Sequence, residues 1–133
     1  MQKNLVIVGF IVISTLVFGF VGCDKEKDKK EEFCLYLNSE NLDKTIPILN
    51  DYLAGLKSKL DEEEKLDALI KWLKSCPCVV DATILCVNCI YTMPAQSEIN
   101  ISFIENGKTV VVVLDILMSN PLKAGICSIN HGE

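Results

Sequence analysis

The segment Ser97 to Leu117, SEINISFIENGKTVVVVLDIL, constrains the fold more than any other stretch of the chain. Ile99, Ile101 and Phe103 alternate with Glu98, Asn100 and Ser102, the two-residue period of a half-buried strand. Asn106-Gly107 follows, a dipeptide that accepts positive φ and closes a two-residue hairpin turn. That turn fixes the register: Glu105 faces Lys108, Phe103 faces Val110, Ile101 faces Val112 and Ile99 faces Leu114. One face of the hairpin is therefore wholly apolar and has to be covered. The other sets Ser102 and Asn100 opposite Val111 and Val113, and this mixed face is a candidate partner surface.

Two amphipathic helices upstream are the available cover. From Thr45, Leu49, Tyr52, Leu53, Leu56 and Leu60 recur at three- and four-residue spacing, with Thr45 as the expected N-cap and Pro47 near the start, where its missing N–H costs little. Asp61 opens the second helix: Glu64 three residues on has capping-box spacing, and Glu62 and Glu63 place negative charge at the positive end of the dipole. Leu66, Leu69, Ile70 and Leu73 form its apolar stripe, flanked by Trp72, a core or core-edge residue. Pro77 ends it. Phe33 to Leu37 is a short apolar patch, a strand or a lead-in.

Val79 to Tyr91 is β-branched and apolar, a first strand joined to the hairpin through TMPAQ. The expectation is an α+β domain, two N-terminal helices packed on a three-stranded antiparallel meander, with an irregular end from Ser119 to Glu133.

The first residues carry an address. Met1-Gln2-Lys3 precedes the apolar run Leu5 to Val21, which stops at Gly22-Cys23, the parts of an export signal. Its last four residues, FVGC, resemble the lipobox of bacterial lipoproteins, with Phe20 where that family usually has Leu. The resemblance implies that Cys23 carries the lipid and Gly22 precedes the cut. An uncleaved membrane helix is the competing reading, because the lysines after the run outnumber the one before it. The expected layout is a signal peptide over 1–22, a lipidated charged tether over 23–33 and a domain over 34–133. Residues 24 to 32, DKEKDKKEE, contain nothing apolar and read as a solvated, flexible spacer, though they also look loosely like the charged sorting tracts of some surface lipoproteins. The mature part is similar to small uncharacterised lipoproteins of anaerobic gut-type bacteria, a resemblance that implies no activity. These features place the protein in a bacterial cell envelope, lipid-anchored and either periplasmic or surface-exposed.

Charge excludes one class of partner. The 13 basic residues, all Lys, are interleaved with 18 acids for a net charge of −5, the opposite of the concentrated basic face that nucleic acid requires.

Six cysteines remain beside Cys23: Cys34, Cys76, Cys78, Cys86, Cys89 and Cys127. An exported small domain favours disulfides. Cys76 and Cys78 flank Pro77 and are poorly placed to bond each other. Cys86 and Cys89, in an extended strand, would point to opposite faces and not pair. Bridges are expected from Cys34 or Cys127 to the central cluster, with some of the six left as buried thiols.

Two chemical alternatives use the same residues. Cys86-Val87-Asn88-Cys89 is a CxxC, the motif of thiol–disulfide enzymes, but a β-like run surrounds it where a helix N-terminus is needed to lower the thiol pKa. Cys76, Cys78, Cys86 and Cys89 together offer the four thiolates of a structural zinc site, although the first pair is CPC and no glycine follows either pair.

Other chemistry is sparse. His131, the only histidine, falls in the expected mobile tail, and Asp61 to Glu64 has the spacing of a helix start rather than of a calcium loop. Asp81 and Asp115 sit in apolar strands. No cofactor is expected, and the reading is a membrane-anchored binding module with a protein partner rather than an enzyme.

Overall fold

The computed structural model describes residues 25–56 and 59–131. The expected signal peptide and Cys23 lie outside the described residues. The chain divides into two compact units, Met1–Glu31 and Glu32–Glu133. The element order is α1 (Lys25–Tyr36), α2 (Leu42–Ala54), α3 (Glu62–Ser75), β1 (Asp81–Ile90), β2 (Gln96–Glu105), β3 (Lys108–Leu117) and β4 (Lys123–His131). Among the described residues the fold is α+β, with three helices and four strands where two and three were expected.

The third helix is α1. The charged run read as a flexible spacer is helical, since Lys and Glu are among the better helix formers. At the C-terminal end of α1, Phe33 is completely buried, and Leu37 just beyond it is nearly so.

The helix α2 starts three residues before the expected Thr45. Asn41 is its N-cap, without a side-chain capping bond. Asn38 organises the turn instead, its Oδ1 accepting from the N–H groups of Glu40 and Asn41. Thr45 sits inside the helix, buried, and its hydroxyl donates to Leu42 O at 2.6 Å. The start of α3 is as read: Asp61 Oδ1 accepts from Glu64 N–H at 2.8 Å. Leu66, Leu69 and Leu73 are fully buried, and Trp72 is a core residue at 5% exposure. Its ring stacks on Tyr52 at 4.8 Å and meets Phe33 edge-on at 5.5 Å.

The sheet runs β1-β2-β3-β4, each neighbour antiparallel. The β2–β3 register is the one the Asn106-Gly107 turn dictates, with Phe103 on Val110, Ile101 on Val112 and Ile99 on Leu114, and both turn residues have positive φ. This inner face packs under α2 and α3 in one core. Asn50 of α2 ties the layers together by accepting from Ala124 N–H of β4 at 2.7 Å.

The strand β4 corrects the expected irregular end. Its register shifts between Val113 and Leu114, so that Ile126 faces Leu114, Ile129 faces Val112, and Cys127 is the extra residue. Such a bulge breaks the two-residue period, and Ile126 and Ile129, the partners of the core residues Leu114 and Val112, stand three apart and stay exposed on the edge strand. Ordered by this strand, His131 lies opposite Val110 and is not in a mobile tail.

Two cysteine bridges close the domain. Cys34–Cys78 joins the end of α1 to the approach to β1, with Cα atoms 5.5 Å apart, as expected for a bridge from Cys34 to the central cluster. Cys86 and Cys89 are bonded to each other, contrary to the expectation for an extended strand. The β1–β2 register shifts on both sides of Cys86, and Asn88 takes a φ of 51°. This left-handed residue turns the chain enough to bring both sulfurs together. Cys76 is a buried thiol bonded to Trp72 O, and Cys127 is an exposed thiol.

Candidate functional site

The face of the sheet away from α2 and α3 is built by the alternate residues of each strand. Val111 lies between Ser102 and Asn130, and Val113 between Asn100 and Ser128. Both valines are half-buried by these neighbours. Thr83 on β1 donates to Asn100 Oδ1 beside them. The result is a shallow apolar strip edged by amides and hydroxyls, the mixed face that the hairpin register implies.

Toward the other end of the same face a second arrangement crosses all four strands. Glu98 on β2 stands directly opposite Asp115 on β3, with Cys86 beyond Glu98 on β1 and Gly125 beyond Asp115 on β4. The β2–β3 ladder is unbroken here, whereas both flanking strands carry register shifts at this level. Those shifts aim sulfur at the acids from two sides. One oxygen each of Glu98 and Asp115 and the Cys127 Sγ lie within 4.8 Å of one another, and the Cys86 and Cys89 sulfurs come within the same distance of Glu98. A bulge re-aims side chains in this way and recurs beside functional sites.

The electrostatics of this row are unfavourable. Like charges directly opposite on adjacent strands repel. Asp115 Oδ1 is shut off from solvent and accepts no hydrogen bond among the described residues, a position that costs free energy for an acceptor. The Cys127 thiol is pushed up by partial desolvation, then by the Asp115 and Glu98 charges, with a hydrogen bond to Asp115 acting in the same direction.

That shift bears on chemistry. The thiolate is the nucleophile in disulfide exchange, so the upward shift makes Cys127 a weaker nucleophile than an ordinary exposed thiol. Cys86 and Cys89 themselves sit in a bulged strand and not at a helix N-terminus, and the feature that lowers thiol pKa in CxxC enzymes is missing there. The four cysteines of the zinc reading are not gathered at one point: Cys78 is bonded to Cys34, Cys76 is buried against Trp72 O, and among the described residues no ligand cluster joins either to Cys86 and Cys89.

Elsewhere, a groove of about 650 Å³ opens at the start of α3, lined by Asp61, Glu62 and Glu63 together with Asn88, Ser119 and Asn120. Its acids serve the helix: Asp61 is engaged as the N-cap, and the Lys65 ammonium donates to Asn120 Oδ1 at 3.5 Å. At the turn end of the sheet Glu105 accepts from Ser39 N–H at 2.9 Å and Ser39 Oγ–H at 2.6 Å. These two bonds, with a smaller contribution from His131, hold its carboxyl below the usual range. Asp81 begins β1 in an exposed position.

Sequence reasoning named Asp115 and Cys127 separately and Glu98 only as a polar position of the alternating strand. The signal for the pair was available, because a register with Ile99 on Leu114 puts Glu98 on Asp115. The bulge that brings Cys127 to them had no such signal.

Comparison of the chain with protein-family models, curated proteins and solved structures returns no match. Nothing positive supports an enzymatic activity. No described helix is long and apolar enough to cross a membrane, and the apolar run of residues 5 to 21 lies outside the described residues.

Proposed function

We propose that the chain is a lipid-anchored module of the bacterial cell envelope that binds a protein partner through the open sheet face around Val111 and Val113. The anchor rests on the FVGC motif and the apolar run before it, which together make Cys23 the lipidated residue. The binding role rests on one observation: two half-buried valines lie in the middle of the sheet face away from α2 and α3, bordered by the side-chain amides and hydroxyls of Asn100, Ser102, Ser128 and Asn130. An apolar centre with a hydrogen-bonding rim is the anatomy of a protein interface.

Each half has its own test. In a bacterial host the full chain incorporates radiolabelled palmitate and partitions into detergent, and Cys23→Ala abolishes both; retention of label by that variant removes the lipid reading. A photo-crosslinkable residue at 111 or 113 captures one discrete envelope protein, while the same probe at Lys71, exposed on α3, does not. Identical capture from both positions, or from neither, removes the binding reading.

A further inference from the structure

We infer that Glu98, Asp115 and Cys127 form a binding site for a thiophilic divalent cation of the zinc class on the open face of the sheet. The inference is independent of the partner and lipid readings.

Four observations converge. The three donor atoms come from three adjacent strands and already lie within 4.8 Å of one another. Zinc bonds of about 2.0–2.3 Å in tetrahedral geometry place ligand atoms roughly 3.4–3.7 Å apart, so closure by about 1 Å suffices. Cys127 is exposed and Glu98 is long and half-buried, so both have freedom to make that movement. Next, Glu98 and Asp115 face each other across an unbroken ladder, where a cation converts repulsion into attraction. Then, on the half-buried Asp115 the Oδ1 atom is shut off from solvent and has no hydrogen-bond partner among the described residues, the carboxyl's one thiol contact being with Cys127 itself, and a metal bond would satisfy it. Last, the sulfur reaches this point only because β4 spends an extra residue at Cys127.

The donor set decides the metal class. Two carboxylates alone would suit magnesium or calcium, which take oxygen ligands. A thiolate shifts preference to zinc and its spectroscopic substitute cobalt(II). Three protein ligands leave a fourth position open, as in sites that exchange ligands. On binding, the Cys127 S–H bond breaks, a sulfur–metal bond forms and the proton goes to solvent. No electrons move. The Cys86–Cys89 bridge, its sulfurs within 4.8 Å of the Glu98 carboxylate, flanks the site without being reduced.

The test is titration of the detergent-solubilised full chain, disulfides intact, with cobalt(II) and then with zinc against a chromophoric chelator. The expected result is one metal per chain, with a sulfur-to-cobalt charge-transfer band that Cys127→Ser eliminates. Glu98→Gln and Asp115→Asn are expected to weaken zinc by at least 10–100-fold, the range seen for losses even one shell further out. Trp72 fluorescence confirms that each variant is folded. Independently of any variant, zinc should slow alkylation of Cys127 in the unmodified chain. A charge-transfer band that survives Cys127→Ser, affinity unchanged by both carboxylate variants, or an alkylation rate unaffected by saturating zinc overturns the inference.

Discussion

Replacing Cys34 and Cys78 together by alanine is expected to destabilise the domain far more than replacing Cys86 and Cys89. A bridge restricts the unfolded chain by an amount that grows with the logarithm of the loop it closes. The Cys34–Cys78 separation is 44 residues, and that of Cys86–Cys89 is 3. On the chain-entropy relation these correspond to about 4 kcal/mol and about 1.6 kcal/mol at 25 °C. Against a total of roughly 5–15 kcal/mol for an ordinary domain, the first is a large fraction. It translates to a fall in Tm of roughly 16–32 °C at 4–8 °C per kcal/mol. Urea unfolding of the oxidised full chain, followed through the single tryptophan, is the assay, because Trp72 leaves its contacts with Tyr52 and Phe33 on unfolding. The long-loop variant should also show a steeper denaturant dependence, since its unfolded state expands once the bridge is gone. If it loses no more stability than the short-loop variant, with unchanged slope, the reasoning from loop length is refuted.

Other perturbations have defined outcomes. Asp61→Ala removes the bond to Glu64 N–H and should cost about 1 kcal/mol in the same urea experiment. Glu98→Gln relieves the repulsion with Asp115, so without metal it should stabilise the domain by roughly 0.2–1 kcal/mol; a destabilised variant would mean that Glu98 makes a favourable contact in the metal-free fold. Glu105 has its carboxyl held below the usual value of 4.5 by the Ser39 bonds. Its contribution is therefore complete above the ordinary carboxylate range and disappears as pH falls through the lowered folded value. Stability of Glu105→Gln measured against pH should be lower at neutrality and flatter below 4.5, and a curve parallel to that of the unaltered chain would contradict this.

What could be read from the sequence follows the kind of physics each element obeys. The hairpin register was legible to the residue because a two-residue turn and a two-residue side-chain period determine it jointly. The start of α3 was legible for a similar reason: Asp61 and Glu64 act over one turn. The strand β4 was not, because the bulge at Cys127 puts Ile126 and Ile129, which pair with the core residues Leu114 and Val112, out of phase. The Cys86–Cys89 bridge was missed through the same error, since a regular strand was assumed where Asn88 turns left-handed. Thr45 was misplaced because its hydroxyl is equally able to cap a helix and to bond back to a carbonyl within one, and burial selected the second. The open-face row combines both cases: the Glu98–Asp115 pair follows from the register, while the sulfur beside it depends on a local irregularity that composition does not announce.

The Cys34–Cys78 bridge also determines how the domain would carry a mechanical load. A pull on the N-terminal segment reaches Cys34 and crosses directly to Cys78, just before β1. Both α2 and α3 lie between those cysteines, in a covalent loop that tension from that end bypasses. Force is delivered to the edge strand of the four-stranded sheet, whose hydrogen-bonded ladders must be sheared or unzipped before the chain extends further. The helices are thereby shielded, and the extension recorded in single-molecule stretching should be shorter with the bridge intact by the length of the locked loop.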